Sequence, residues 1–329
     1  MRHFSFDQLE FQNLIPVKIE VIGGSRPRLT LEHKKTKQKF FLKSYRHNTR
    51  EIWAEMLASH LGEIINIPIQ NVSLKKIPGY LAKIFRNKFK SYLPVSWRPI
   101  GALVRNIFPK KHEAIYGAQI IGTASDPVSL QTVEDAIRRN YLDSEDLLQN
   151  FSDMVVFDAW IGNMDRHHEN WGIIQKNMPK QLRFIELTQE DRLNLKASRW
   201  FSKLFDHGSS LLFELDEEKV THYLHDTKKL DQYILGKKYA LLLGINDEPL
   251  NVFQILENHV KQKTKWGPRI RKSIQKVLKA DSLNIARLII QMPTDGILDY
   301  SYSRKRLVYC SLERRKSLLS DVLGYSYGN

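Results

Sequence analysis

The sequence predicts an α+β fold of two lobes around a cleft, with a β-rich front and a mostly helical back. Three observations predict it. Short apolar-polar alternations separated by turn residues fill the front, and helix-spaced apolar residues dominate from about Val128 onward. The length of 329 residues, with 42% hydrophobic and 26% charged residues, suffices for one large core or two modest ones. This composition excludes a disordered chain, a collagen-like fibre and a disulfide scaffold. Cys310 is the single cysteine, so intrachain disulfides and Cys-x-x-Cys zinc sites are excluded too. No stretch reaches the ~18 apolar residues of a membrane-spanning helix. Met1 to Gln12 lacks the apolar run of a signal peptide. A cytoplasmic location is the expectation, with secretion left open.

The elements follow in order. Val17 to Ile22 alternates as a strand and runs into a Gly23-Gly24-Ser25 turn. Arg28 to His33 and Lys39 to Tyr45 are two more strands, joined by a turn at Lys34 to Lys37. Phe41, Lys43 and Tyr45 share one face of the third. Thr49 to Ile64 is helical, because Trp53, Met56, Leu57, His60, Leu61 and Ile64 recur at helix spacing, and Pro68 lies beyond its end. Val72 to Phe85 reads as further strand, interrupted at Pro78-Gly79.

Arg86 to Lys111 carries basic residues and no acid, interleaved with Phe89, Tyr92, Trp97 and Phe108. That pattern suits a polyanion-binding element. The favoured reading is an insertion that packs its aromatics on the core and turns its lysines outward. In the back, Asp143 to Trp160 forms a helix with Leu147, Leu148, Phe151, Val155 and Trp160 on its apolar face, capped by Asp143 or Ser144. Further helices are expected near 228–243, 250–262, 267–279, 281–292 and 302–324. The lobes divide as residues 1–112 and 113–329.

The chain has 51 basic and 36 acidic residues, a net charge of +15, which points to a polyanionic partner: nucleic acid, an acidic membrane or a phosphate-rich ligand.

The chemistry concentrates in Gly162-Asn163-Met164-Asp165-Arg166-His167-His168-Glu169-Asn170, a polar cluster after an apolar helix. In phosphoryl transfer one carboxylate meets the attacking hydroxyl and a nearby amide oxygen holds magnesium; an Asp-x-x-x-x-Asn loop supplies both. Asp165 and Asn170 have that spacing. Phe205-Asp206-His207-Gly208-Ser209-Ser210 offers a second acid, Asp206, before a glycine that permits a tight turn. A front-lobe lysine fixed by an acid on the next helix should hold the α- and β-phosphates, and Lys43 and Glu55 meet that demand. Backbone N–H groups at Gly23, Gly24 and Ser25 can approach phosphates closely. His167, His168 and Glu169 do not read as a metal site, because adjacent loop residues rarely converge on one ion. His167 instead holds the shape of its loop beside the nucleotide. Arg166 either contacts phosphate or balances Asp165.

With these residues in this order, the chain resembles the HipA-like serine/threonine kinases of bacteria, in the short form that starts directly at the glycine loop. The resemblance implies a two-lobed protein-kinase-like fold with ATP and Mg2+ as cofactors. It implies Asp165 as catalytic base, Asn170 and Asp206 as metal ligands, and Lys43 paired with the phosphates and Glu55. Glu113-Ala114-Ile115-Tyr116-Gly117 is similar to the hinge strand, which places Glu113 and Ile115 beside adenine. The resemblance further implies a protein substrate with a serine or threonine hydroxyl and frequent self-phosphorylation, for which Ser25 is a candidate. A toxin or secreted-effector role follows too, as does an antitoxin or accessory partner that could bring nucleic acid with it. Asn170 and Asp206 lie 36 residues apart, longer than the family pattern, which places an insertion at Pro179 to Ser202. Two rival readings stand beside this one. The catalytic loop is also similar to that of phosphoinositide-type lipid kinases. The basic 86–111 segment suits a nucleic-acid-binding module that keeps kinase-like residues as scaffold.

Overall fold

The computed structural model describes residues 11–20, 27–45, 50–91, 93–94, 96–106, 112–122, 127–141, 144–176, 199–292 and 300–325. The glycine turn at Gly23, Gly24 and Ser25 lies outside them. In the front, β1 (Leu14–Glu20), β2 (Arg28–His33), β3 (Lys39–Lys43), β4 (Val72–Lys76) and β5 (Ile100–Arg105) form a five-stranded antiparallel sheet in the order β1-β2-β3-β5-β4. Pro16 has no N–H for a ladder and sits on the edge strand, where the register shifts between Pro16 and Lys18. Strand alternation buries Leu29, Leu31 and Leu42 completely and turns Phe41 and Lys43 to the other face.

Two front-lobe expectations are corrected. Residues 79–85 are not strand but part of α2 (Gly79–Lys88), and the reason was legible: Leu81, Phe85 and Phe89 recur every four residues and all three are buried. Nor is Arg86 to Lys111 an insertion. It ends α2, places Phe89 and Trp97 in the core, and then supplies β5, which pairs with both β3 and β4. All of β5 but Arg105 is buried, so it shows a continuous apolar run where alternation was sought. Arg86, Lys88, Lys90, Arg98 and Arg105 face outward, as the favoured reading required.

Helix α1 (Arg50–Ile64) is buried over most of its surface, Glu55 included at 1% exposure. The chain just beyond it is sewn to a distant segment: Leu204 N–H donates to Pro68 O and Gln70 N–H donates to Leu204 O, each at 2.9 Å. This short parallel bridge brings Asp206 beneath α1.

In the back, β6 (His112–Tyr116), β7 (Gly172–Lys176) and β8 (Arg199–Phe201) form a small antiparallel sheet. Trp171, fully buried before β7, meets Phe151 edge-on at 4.9 Å and stacks on Phe201 at 5.8 Å. Helix α3 (Gly117–Ile121) must start with glycine, since a Cβ there would lie 2.3 Å from the Trp171 ring. After α4 (Leu130–Asn140), α5 (Glu145–Ile161) forms the centre of the lobe and is capped by Gly162 at φ +71°.

The remaining helices are α6 (Glu217–His225), α7 (Thr227–Gly236), α8 (Val252–Lys261), α9 (Gly267–Leu278), α10 (Ser282–Ile290) and α11 (Tyr302–Val322). The last four match expectation closely. The helix expected over 228–243 stops at Gly236, and the chain beyond it runs behind the Gly162–Asn170 loop. Two buried lysines of α11 cap neighbouring helices: Lys316 Nζ donates to Ala280 O at 2.6 Å just past α9, and Lys305 Nζ donates to Ile290 O at 3.0 Å at the end of α10. Carbonyls at a helix C-terminus lack intrahelical donors and sit at the negative end of the dipole, so an ammonium is well placed there.

Candidate active site

Strand alternation on β3 carries Lys43 to the cleft face, and α1 presents Glu55 toward it. Lys43 Nζ donates to Glu55 Oε1 at 2.5 Å and lies 3.8 Å from Asp206 Oδ1. Glu55 is buried, while Asp206 keeps 36% side-chain exposure. The acid inside thus orients the lysine, and the second acid is part-exposed on the cleft side. The neighbouring lysines 34, 35, 37 and 39 are all exposed on or beside the turn.

Asp206 has φ +61°, the left-handed region that a short polar side chain tolerates at modest cost. From there Ser209 reaches the catalytic loop, and its hydroxyl donates to Asp165 Oδ2 at 3.1 Å. Asp165 is exposed into the cleft. Asn170 Nδ2 donates to His167 Nε2 at 2.9 Å, which directs the amide nitrogen inward and leaves the amide oxygen for a hard cation. His167 thus bonds within its own loop. His168 is turned away, 1% exposed, and its Nδ1 accepts from Trp171 Nε1 at 3.3 Å. Burial, with a smaller contribution from His167, lowers its pKa to about 4.

Arg166 answers the alternatives left open for it by facing inward, with its guanidinium bonded inside the back lobe. Completely buried, it forms a bidentate pair with Asp158, Nε to Oδ2 and Nη2 to Oδ1, both at 2.8 Å. Its Nη1 donates to two carbonyls, Asn170 O at 2.9 Å and Phe205 O at 2.7 Å. One nitrogen thereby joins the backbone of Asn170 to the residue before Asp206. Burial opposes the guanidinium charge, but Asp158 outweighs it and holds the pKa above its ordinary value. Arg166 Nη2 also donates to His207 Nδ1 at 3.2 Å. Burial first, then the Arg166 charge, holds the His207 pKa well below its ordinary value, so this ring is neutral and can accept.

Asp158 and Tyr239 are the partners that sequence reasoning missed. Asp158 also accepts from Asn163 Nδ2 at 3.0 Å and from Tyr239 OH at 2.8 Å, so four donors meet one buried carboxylate. Ala240 N–H donates to Met164 O at 3.4 Å, bracing the loop from behind. The only signal for Asp158 was an acid within an otherwise apolar helix face. Tyr239 had none, because the expected helix ran through it.

Glu113 and Ile115, expected at the hinge, lie on β6. They pair there with Gln175 and Ile173 of β7, and Glu113 Oε1 accepts from Gln175 Nε2 at 2.7 Å. The five-stranded sheet is left at Asn106, and residues 107–111 are outside the described chain. On the Lys43 face of that sheet, a recess of 390 Å³ is lined by residues that include Arg28, Thr30, Phe41 and Asn106, with the Arg28 guanidinium 4.6 Å from the Phe41 ring centre.

This donor set fits a divalent cation and a nucleoside triphosphate. It offers one part-exposed carboxylate, one amide oxygen and an anchored ammonium.

No family model matches the chain. In sequence it is 25% identical over 172 residues to the serine/threonine-protein kinase CtkA of Helicobacter pylori; the match covers 52% of this chain and 45% of that relative's length. In structure it matches the crystal structure of the proinflammatory kinase CtkA of Helicobacter pylori with a TM-score of 0.70 and 19% identity, over 94% of each chain. It also matches HipA from the toxin–antitoxin complex of Shewanella oneidensis with HipB and operator DNA, with a TM-score of 0.55 and 12% identity, over 96% of this chain and 68% of the other. By sequence, then, the chain is a homologue of CtkA, and by fold it has the α+β kinase-like architecture that CtkA and HipA share, as its resemblance to the HipA-like kinases led us to expect.

Proposed function

We propose that this chain is a HipA-like serine/threonine protein kinase that uses Mg2+ and ATP, with front and back lobes dividing between β5 and β6. The observation that carries the reading is the Lys43 ammonium held between buried Glu55 and part-exposed Asp206, at 2.5 and 3.8 Å. Kinship with CtkA supports a protein hydroxyl, rather than a lipid, as acceptor.

In this reading Lys43 holds the α- and β-phosphates, and Glu55 keeps its ammonium from swinging toward solvent. Asn170 Oδ1 and the Asp206 carboxylate hold the cation, and Phe41 and Arg28 face the base. When bound, the metal neutralises the charge that develops on the transferred phosphoryl group. The Asp165 carboxylate orients the acceptor hydroxyl and takes its proton as oxygen bonds to phosphorus and the bond to ADP breaks. Positioning and charge supply the rate, so the braces around Arg166 matter as much as the groups that touch substrate. The same proposal extends to self-phosphorylation and to a protein partner, as HipA has HipB in its complex.

The test is incubation of the purified chain with magnesium and ATP, followed by mass spectrometry of the chain and of an added protein acceptor. Wild type should transfer phosphate, and Asp165→Asn and Asp206→Asn should each lose it by at least about 10³-fold while melting at the wild-type temperature. Full activity in either variant refutes the roles assigned here.

A further inference from the structure

Ser209 stands three residues after Asp206, and its hydroxyl donates to Asp165 Oδ2 at 3.1 Å. Among the described residues it is the donor that reaches this carboxylate. The segment that carries it is braced on several sides. The Ser210 hydroxyl donates to His207 O at 2.6 Å, and Leu211 N–H donates to Ile161 O at 2.9 Å. Leu211 and Leu212 take φ of +53° and +61°, which branched apolar residues adopt only when their surroundings force it. Buried Arg304 of α11 supplies that force, donating to Leu212 O at 3.2 Å and to Leu215 O at 2.6 Å. The backbone that carries Ser209 is thus braced by buried partners, whereas Asp165 is an exposed side chain.

A carboxylate that takes a proton must keep one oxygen turned to the incoming hydroxyl. With Oδ2 engaged by Ser209, Oδ1 is the oxygen left for it. We propose that Ser209 is a positioning residue of the phosphotransfer site. Its hydroxyl fixes the rotamer of Asp165 and ties that rotamer to the loop bearing Asp206, so that base and metal ligand are set together. This inference rests on the kinase reading above. It differs from a role for Ser209 as phosphate acceptor, because a serine spent as acceptor leaves Asp165 unheld.

The experiment compares wild type, Ser209→Ala and Ser209→Thr in the full chain. Phosphate transfer to casein gives kcat and KM, calorimetric titration gives Mg–ATP affinity, and thermal melting reports the fold. Ser209→Ala should lose about 10- to 100-fold in kcat, the scale of one orienting hydrogen bond to a charged group, with Mg–ATP affinity and melting temperature unchanged. Ser209→Thr keeps the hydroxyl and should recover most of that loss. A kcat within twofold of wild type for Ser209→Ala overturns the inference. So does a threonine variant no better than alanine, a loss of kcat matched by equal losses in nucleotide affinity or melting temperature, or phosphate found on Ser209. A wild-type chain that neither binds Mg–ATP nor transfers phosphate overturns the kinase reading and this inference with it, whereas the Ser209→Ala result overturns the inference alone.

Discussion

Replacing Arg166 by methionine would remove a buried group that binds α5, the Asp165–Asn170 loop and the segment before Asp206 together. Methionine fills similar volume without donors, so the change isolates the polar network from packing. It strands Asp158, completely buried, with only Asn163 and Tyr239 as donors, and it leaves Asn170 O and Phe205 O without the nitrogen they share. Breaking a buried pair by removing one partner costs about 3–5 kcal/mol. An unfolding entropy of ~2.1 cal/mol/K per residue gives about 0.7 kcal/mol/K for a chain of 329 residues, so the melting temperature should fall by about 4–7 °C. Phosphate transfer should fall further than stability alone explains, by ~100-fold, because Asn170 and Asp206 lose their common anchor. Melting curves and initial rates on the same preparations check both numbers. The double variant Arg166→Met with Asp158→Asn should melt well above the sum of the two single losses, since the stranded charge is gone. An Arg166→Met chain that melts within about 1 °C of wild type and retains its activity would refute the reasoning.

Two further outcomes follow from the geometry. Burial lowers the pKa of His168 and of His259 to about 4 and holds that of His207 well below its ordinary value, so the unfolded chain binds protons that the native chain does not. Stability from these groups is complete above the ordinary histidine pKa near 6.5 and is lost as pH falls from there toward about 4, which urea midpoints measured across that range should trace. Gly117→Ala would drive a Cβ to 2.3 Å from the Trp171 ring and should cost about 1–3 kcal/mol, read as a lower urea midpoint at unchanged slope.

Much of this architecture was legible because it is written in local patterns. The alternation of β2 and β3 and the four-residue spacing in α8 to α11 are imposed by elements that bury one face. The residues proposed to carry chemistry stood out for a different reason. Asp165 and Asn170 lie five apart on one loop, and Asp206 precedes Gly208, so each pairing needs only a tight turn. The errors lie where burial is two-sided or partners are remote. Strand β5 is apolar on both faces and shows no period. The helix at 79–85 hid behind Pro78-Gly79, a pair that also serves as a turn. Glu113 and Ile115 had the look of a strand, and they form one, but which sheet a strand joins depends on a partner some sixty residues further on, at Ile173 and Gln175.

Residue types and their order along the chain determined the fold class, the lysine on its strand, the acid on its helix and the two polar loops, because each follows from the chain's own periodicity and from what phosphoryl chemistry demands. Only the tertiary structure decided that Arg166 faces inward to Asp158, that Tyr239 closes the same network, and that Ser209 rather than a neighbouring hydroxyl meets Asp165. Those choices depend on which distant donors and acceptors are buried together, and the cost of leaving any of them unpaired is felt only once water has been excluded.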